Sequence, residues 1–305
     1  MNCKLSDYLS KFPTLENLLG DWVRKELSRG KQDHCLLYCL NKGEPNWNRI
    51  RSLMTGKMDV ATCVIVNELQ LHHSHLQNLE SHLTILVNEP HLDRFLEHLE
   101  QPDNFWQGYS EIETAALFKR RFSSIQLEPS LPNCSRVDFA FPFGKKSIYT
   151  EVNTPKMGQE FLDALVKHSV PIGGKPKAYN IPDSSNRVKD IILREFEHFD
   201  GANVPSLTIY NLNKSEFDGE DVADRLRGTA YAQILTKKST GKSSLHWKRK
   251  ADSVFINDPD LKDLGGIICY KREFNVKGQV SYAPLHLIGI AFPVRDMERL
   301  GKTFG

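Results

Sequence analysis

The stretch RVDFAFPFGKKSIYTEVNTPK, residues 136–156, decides how the rest of the chain is read. Two runs rich in aromatic and β-branched residues, Arg136–Phe143 and Ser147–Asn153, flank the turn Phe143-Gly144-Lys145-Lys146, which is the pattern of a β-hairpin. Side chains alternate across a strand, so Val137, Phe139 and Phe141 are expected on one face and Asp138 on the other. On the second strand Tyr149, Glu151 and Asn153 share a face, opposite Ile148 and Val152. Pairing of the two runs brings Asp138 and Glu151 together at one end of the sheet. A solvent-facing hairpin would also place single polar residues in this way. Two carboxylates backed by an apolar face that forces the register are less ordinary.

Upstream, Phe105–Phe122 has the spacing of a helix, followed by a short strand at Ile125–Leu127. Glu111 falls on the face of Ala115, Phe118 and Phe122, the face expected to meet the sheet. A carboxylate at the edge of a buried face is costly unless it serves something. Glu113 has a plainer explanation, because Ser110-x-x-Glu113 reads as a capping box. Downstream, helices are expected over 158–168 and 185–199, separated by the loop Gly173-Gly174-Lys175-Pro176. Strands are expected at Pro205–Leu212, Ala230–Leu235, Gly266–Tyr270 and His286–Phe292. This is an α/β order with a mixed sheet flanked by helices.

The first hundred residues read differently. Leu69, Leu76, Leu79 and Leu83 recur at helix spacing, as do Leu92, Phe95, Leu96 and Leu99. The turn-rich Gln101-Pro102-Asp103-Asn104 sets a boundary between a mainly helical N-terminal domain, 1–102, and an α/β domain, 103–305. The histidines crowded into the first part (His72, His73, His75, His82, His91 and His98) are expected to be polar and solvated. Cys35 and Cys39 lie four apart without a second ligand pair nearby and are expected to be packed thiols.

The order helix, Asp strand, Glu strand resembles the restriction-endonuclease-like nucleases, the PD-(D/E)xK superfamily. That family carries an Asp on one strand and Glu-x-Lys on the next, often with a further Glu on the preceding helix. Tyr109–Phe122, Leu127-Glu-Pro with the Asp138 strand, and Tyr149–Pro155 match these parts in turn. The resemblance covers 105–210 and does not reach the first hundred residues. It implies a restriction-endonuclease-like mixed sheet, hydrolysis of phosphodiester bonds in DNA, and a divalent cation, Mg²⁺ or Mn²⁺. By the same resemblance Asp138, Glu151 and the carbonyl of Val152 are metal ligands, and Glu111 is a further catalytic carboxylate. The chain departs from the family at Asn153, which stands where the motif has Lys. A neutral amide can orient water but contributes no charge. Lys156, three residues on, or Gln159 could compensate. Otherwise the chain is an impaired member that binds nucleic acid or a protein partner without cleaving. A third reading puts the same carboxylates to work on a small phosphate substrate.

Between Arg225 and Ala251 there are eight Lys or Arg and no Asp or Glu, with Tyr231, His246 and Trp247 interleaved. Lys237, Lys238, Lys242, Lys248, Arg249 and Lys250 are the expected phosphate contacts, and Trp247 offers a surface for base stacking. Overall charge is uninformative, since 40 Lys+Arg against 38 Asp+Glu leave +2 over 305 residues. Hydrophobic residues make up 40% and the six cysteines are scattered, which fits a protein with an ordinary core in a reducing cytoplasm. The opening Met1–Phe12 lacks a continuous apolar stretch, and no run approaches the ~20 residues of a membrane helix. Neither a secretory signal nor membrane insertion is expected. Partners are taken to be nucleic acid and, in a homodimer, a second copy of the chain.

Overall fold

The computed structural model describes residues 8–31, 34–43, 60–156, 185–215, 218–227, 230–236, 243–249, 264–274, 279–282 and 285–305. The helix expected over 158–168 and the loop 173–176 lie outside the described residues.

Among the described residues, five helices precede the first strand: α1 (Pro13–Ser28), α2 (Cys35–Lys42), α3 (Val60–Leu86), α4 (Leu92–Glu100) and α5 (Phe105–Phe122). Strands β1 (Gln126–Leu127), β2 (Phe139–Phe143) and β3 (Lys146–Asn153) follow, then α6 (Ser185–Glu197), β4 (Ser206–Asn211) and α7 (Gly219–Arg227). The chain continues through β5 (Ala230–Thr236), β6 (Ser243–Arg249), β7 (Gly266–Tyr270), β8 (Arg272–Phe274), β9 (Val280–Tyr282) and β10 (His286–Gly289) to α8 (Val294–Gly301).

Six strands form one mixed sheet in the order β1-β2-β3-β4-β7-β10, while β5-β6 and β8-β9 are separate two-stranded ribbons. β3, β4 and β7 run parallel and the remaining neighbours antiparallel. Period-2 alternation loads both faces of the central strands. Leu207, Ile209, Ile268 and Tyr270 join the cluster of α1–α5 and α8, whereas Tyr210, Ile267 and Cys269 join the cluster of α6 and α7. Strands buried on both sides between helical layers are the usual state of parallel pairs.

The first helical layer and the sheet share one apolar cluster. Phe95 and Leu99, before the turn at Gln101–Asn104, lie in it together with Phe105, Phe139 and Phe304. α5 is its axis, buried at Phe105 and from Gly108 to Phe118, against α3 and α4 on one side and β2 and β3 on the other. α4 sits directly on α5 at Gly108. A Cβ there would fall 2.7 Å from His98 Cβ and 3.0 Å from the Phe95 carbonyl oxygen. That close approach sets the distance between His98 and the next turn of α5.

Several expectations need correction. β2 begins at Phe139 rather than Arg136, which makes only an isolated bridge to Ser130. Val137 therefore escapes the strand alternation and packs with Leu131 and Val188, in the cluster opposite that of Phe139 and Phe141. Ser110 caps nothing, because α5 starts five residues earlier; its hydroxyl donates to the Trp106 carbonyl. Glu113 instead receives the guanidinium of Arg272 through Nε at 2.7 Å and through Nη2. Asn78, Tyr270 and Tyr282 donate to it as well. His73 and His82 are buried rather than solvated. β10 ends at Gly289, three residues short of the expected limit.

Candidate functional site

The hairpin of β2 and β3 has the register Phe139↔Thr150 and Ala140↔Tyr149. Continued by one residue, that register sets Asp138 opposite Glu151. The two are linked through backbone: Asp138 Oδ2 accepts the Val152 N–H at 2.7 Å, and the Glu151 carboxylate is held by the Asp138 N–H. On the neighbouring segment, directly after β1, Glu128 has φ +50°, a backbone conformation uncommon outside glycine, and its N–H donates to the Asp138 carbonyl at 2.9 Å. At Asp138 the alternation has ended, with Val137 and Phe139 in opposite clusters, and its carboxylate lies against the Val152 N–H near the C-terminal end of β3. The carboxyl ends of parallel strands are where α/β sheets place ligands.

Three further carboxylates surround the pair. Glu111 on α5, 1% exposed, accepts from Gln107 Nε2 at 2.7 Å and lies 2.8 Å from His98 Nδ1. Gln107 holds this arrangement to the strand end. Its Nε2 also donates to the Val152 carbonyl at 2.6 Å, and its Oε1 accepts the Thr154 N–H at 2.8 Å. Glu128 lies 3.9 Å from Arg136. Glu195, near the end of α6, accepts from Arg194 Nη2 at 3.1 Å and from the side chain of Asn153. Past the end of the same helix, His198 Nε2 lies 3.9 Å from Glu151 Oε1.

Electrostatics follow from this crowding. Burial, then the charges of Glu151 and Glu111, raise the Asp138 carboxyl well above the usual carboxylate range. Burial, then Glu195 and Glu111, do the same to Glu151. Burial raises Glu195 too, against the opposing pull of Arg194, His198 and Asn153. The hydrogen bond to Glu111 raises His98 despite its burial. Like charges gathered in a low-dielectric pocket disfavour their own ionised forms unless a cation joins them. Glu151 Oε2 is buried and has no hydrogen-bond partner among the described residues.

Of the residues singled out from the sequence, Asp138, Glu151, Val152, Asn153 and Glu111 come together here. Lys156 is exposed, and its carbonyl accepts from Arg187. Among the described residues, Arg194 lies beside Glu195 and Arg136 beside Glu128. Trp247, Lys248 and Arg249 lie on β6, opposite Ala232, Tyr231 and Ala230. Lys237, Lys238, Lys242, Lys250 and Gln159 lie outside the described residues. Sequence reasoning missed Gln107, Glu195 and His198. Glu195-Phe-Glu-His198, with carboxylate and imidazole three apart at a helix end, was the available signal. No described helix is long and apolar enough to cross a membrane. Comparison with protein-family models, curated proteins and solved structures finds no match.

Proposed function

We propose that the chain is a restriction-endonuclease-like nuclease that hydrolyses phosphodiester bonds, in DNA before RNA, with Mg²⁺ or Mn²⁺ held by Asp138 and Glu151. The observation that carries this reading is the mutually repelling pair at the carboxyl end of β3, Asp138 buried and Glu151 only 13% exposed on its side chain. The chemistry of the donor set suits a hard dication, which prefers carboxylate and carbonyl oxygens and retains water. Glu151 Oε2, buried without a hydrogen-bond partner among the described residues, is free to take an ion. Asp138 and Glu151 are the ligands, with the Val152 carbonyl adjacent and already engaged on one side by Gln107. When bound, such an ion offsets the charge developing on the phosphoryl oxygens and acidifies water.

The chain's own residues supply the rest. Gln107 fixes the strand end to α5, and Glu111, paired with His98, keeps a further buried carboxylate beside it. Arg194 brings positive charge to the side where the motif's lysine is missing. The basic 225–251 segment supplies phosphate contacts. Asn153 supports a second reading, a protein that binds nucleic acid without cleaving it, because its amide is engaged by Glu195 and carries no charge. Incubation of plasmid and of single-stranded DNA and RNA with Mn²⁺ separates the two. Cleavage that disappears in Glu151→Ala supports the nuclease. Salt-sensitive binding without cleavage, in folded protein, supports the second reading.

A further inference from the structure

We infer that Glu151, Glu195 and His198 form a second divalent-cation site, separate from the Asp138–Glu151 pair, whose imidazole selects a transition-metal ion such as Zn²⁺ over Mg²⁺. This goes beyond the phosphodiesterase reading and shares only Glu151 with it.

One ligand atom from each of the three side chains lies within 4.8 Å of the others. Tetrahedral ligands at ~2.0–2.2 Å from a common ion stand about 3.3–3.6 Å apart, so a closure of about 1 Å would complete the set. The elements favour such a shift. Glu151 is fixed in the central sheet, whereas His198 follows the last turn of α6 and is 44% exposed on its side chain. Asn153 and Arg194 hold Glu195 toward the strand. Outer hydrogen bonds of this kind orient metal-binding carboxylates.

Two buried polar atoms near these groups have no hydrogen-bond partner among the described residues. Glu151 Oε2 is one. The other belongs to Tyr210, which pairs with Asn153 in the β3–β4 register. Its side chain is 1% exposed, and its hydroxyl has no hydrogen-bond partner among the described residues. It lies within electrostatic reach of both Glu195 and Glu151. A buried hydroxyl is rarely left without a partner. An ion carrying water or hydroxide would supply an acceptor for Tyr210 and a charge for Glu151.

The donor set decides the metal. Asp138 and Glu151 offer oxygen alone, which suits Mg²⁺, whereas adding an imidazole nitrogen shifts preference toward the later first-row dications. Glu151 is the common member, able to face both ions, as a carboxylate does in two-metal sites.

The test is a calorimetric titration of the full chain with Zn²⁺ in the presence of saturating Mg²⁺, with Co²⁺ absorption as a second reporter of imidazole ligation. Wild type should hold one Zn²⁺ that Mg²⁺ does not displace. His198→Ala and Glu195→Gln should each weaken it by about tenfold or more, while Asp138→Asn leaves it within about threefold. Circular dichroism melts verify folding, and the exposed position of His198 keeps that variant informative if Glu195→Gln unfolds. Unchanged Zn²⁺ affinity and Co²⁺ spectrum in His198→Ala would overturn the site. Equal loss in Asp138→Asn would also overturn it, since it would indicate one shared site. His198-dependent Zn²⁺ binding in a chain that cleaves nothing would support this site while removing the phosphodiesterase reading.

Discussion

The Asp138 carboxylate reaches across the hairpin and accepts the backbone N–H of Val152 at 2.7 Å, beside Glu151. This bond seats one acidic side chain against another in a buried pocket, an arrangement that costs stability and suits a cation. Asp138→Asn keeps an oxygen to accept the Val152 N–H and removes the charge. The metal-free variant should therefore be more stable than wild type, by about 1 kcal/mol near neutral pH, while losing affinity for Mg²⁺. Thermal melts with and without Mg²⁺ check both halves. A variant less stable than wild type without metal would show that the charge is already compensated.

The pH dependence has a definite sign. Asp138 and Glu151 are both raised in the folded chain, so folding favours their protonated forms. The stability they contribute is fully present below the ordinary carboxylate range, near pH 4, and is lost as pH rises through their raised folded values. A bound dication relieves that loss and competes with the protons. Addition of Mn²⁺ should then raise the melting temperature more at about pH 8 than at about pH 5. An equal rise at both would place the ion elsewhere.

Two glutamates on α5, one half-turn apart, should behave oppositely. Glu113 faces the buried guanidinium of Arg272, so Glu113→Gln strands a cation in the core and should cost about 3–5 kcal/mol. Glu111 touches the site through Gln107 and His98. Glu111→Gln should leave stability within about 1 kcal/mol and cut cleavage by roughly 10–100-fold. Denaturant titrations and cleavage rates distinguish them; reversal of the two patterns would contradict the assignment.

This contrast also shows what local sequence pattern can carry. The hairpin was legible because alternation and a short turn are neighbouring signals, and the face of Glu111 followed from helical period. The role of Glu113 was not legible, because its partner Arg272 is 159 residues away. A local capping pattern competed with it and lost to the burial of the whole helix. Glu195 and His198 reach Glu151 only through the parallel β3–β4 pairing, which closes a long connection; helical period placed α6 but carried no sign of which strand its end would meet. The kink at Glu128 escaped for a related reason: the positive φ sits on a residue whose type gives little sign of it.

Asn153→Lys should move two measurements in opposite directions. An ammonium at this position restores the positive charge of the family motif beside Glu151, so Mg²⁺-dependent cleavage should rise or become measurable. The same charge would replace the amide now bound to Glu195 and repel an ion held there. Zn²⁺ affinity should therefore fall. Lack of response in both, with the fold intact, would mean that position 153 does not face the carboxylates.

The most direct measurement is anomalous diffraction from crystals soaked in Mn²⁺. The account predicts a peak bonded to the Asp138 and Glu151 carboxylates at about 2.0–2.2 Å. An absence of any peak at that pair, with Mn²⁺ bound elsewhere or not at all, would contradict it.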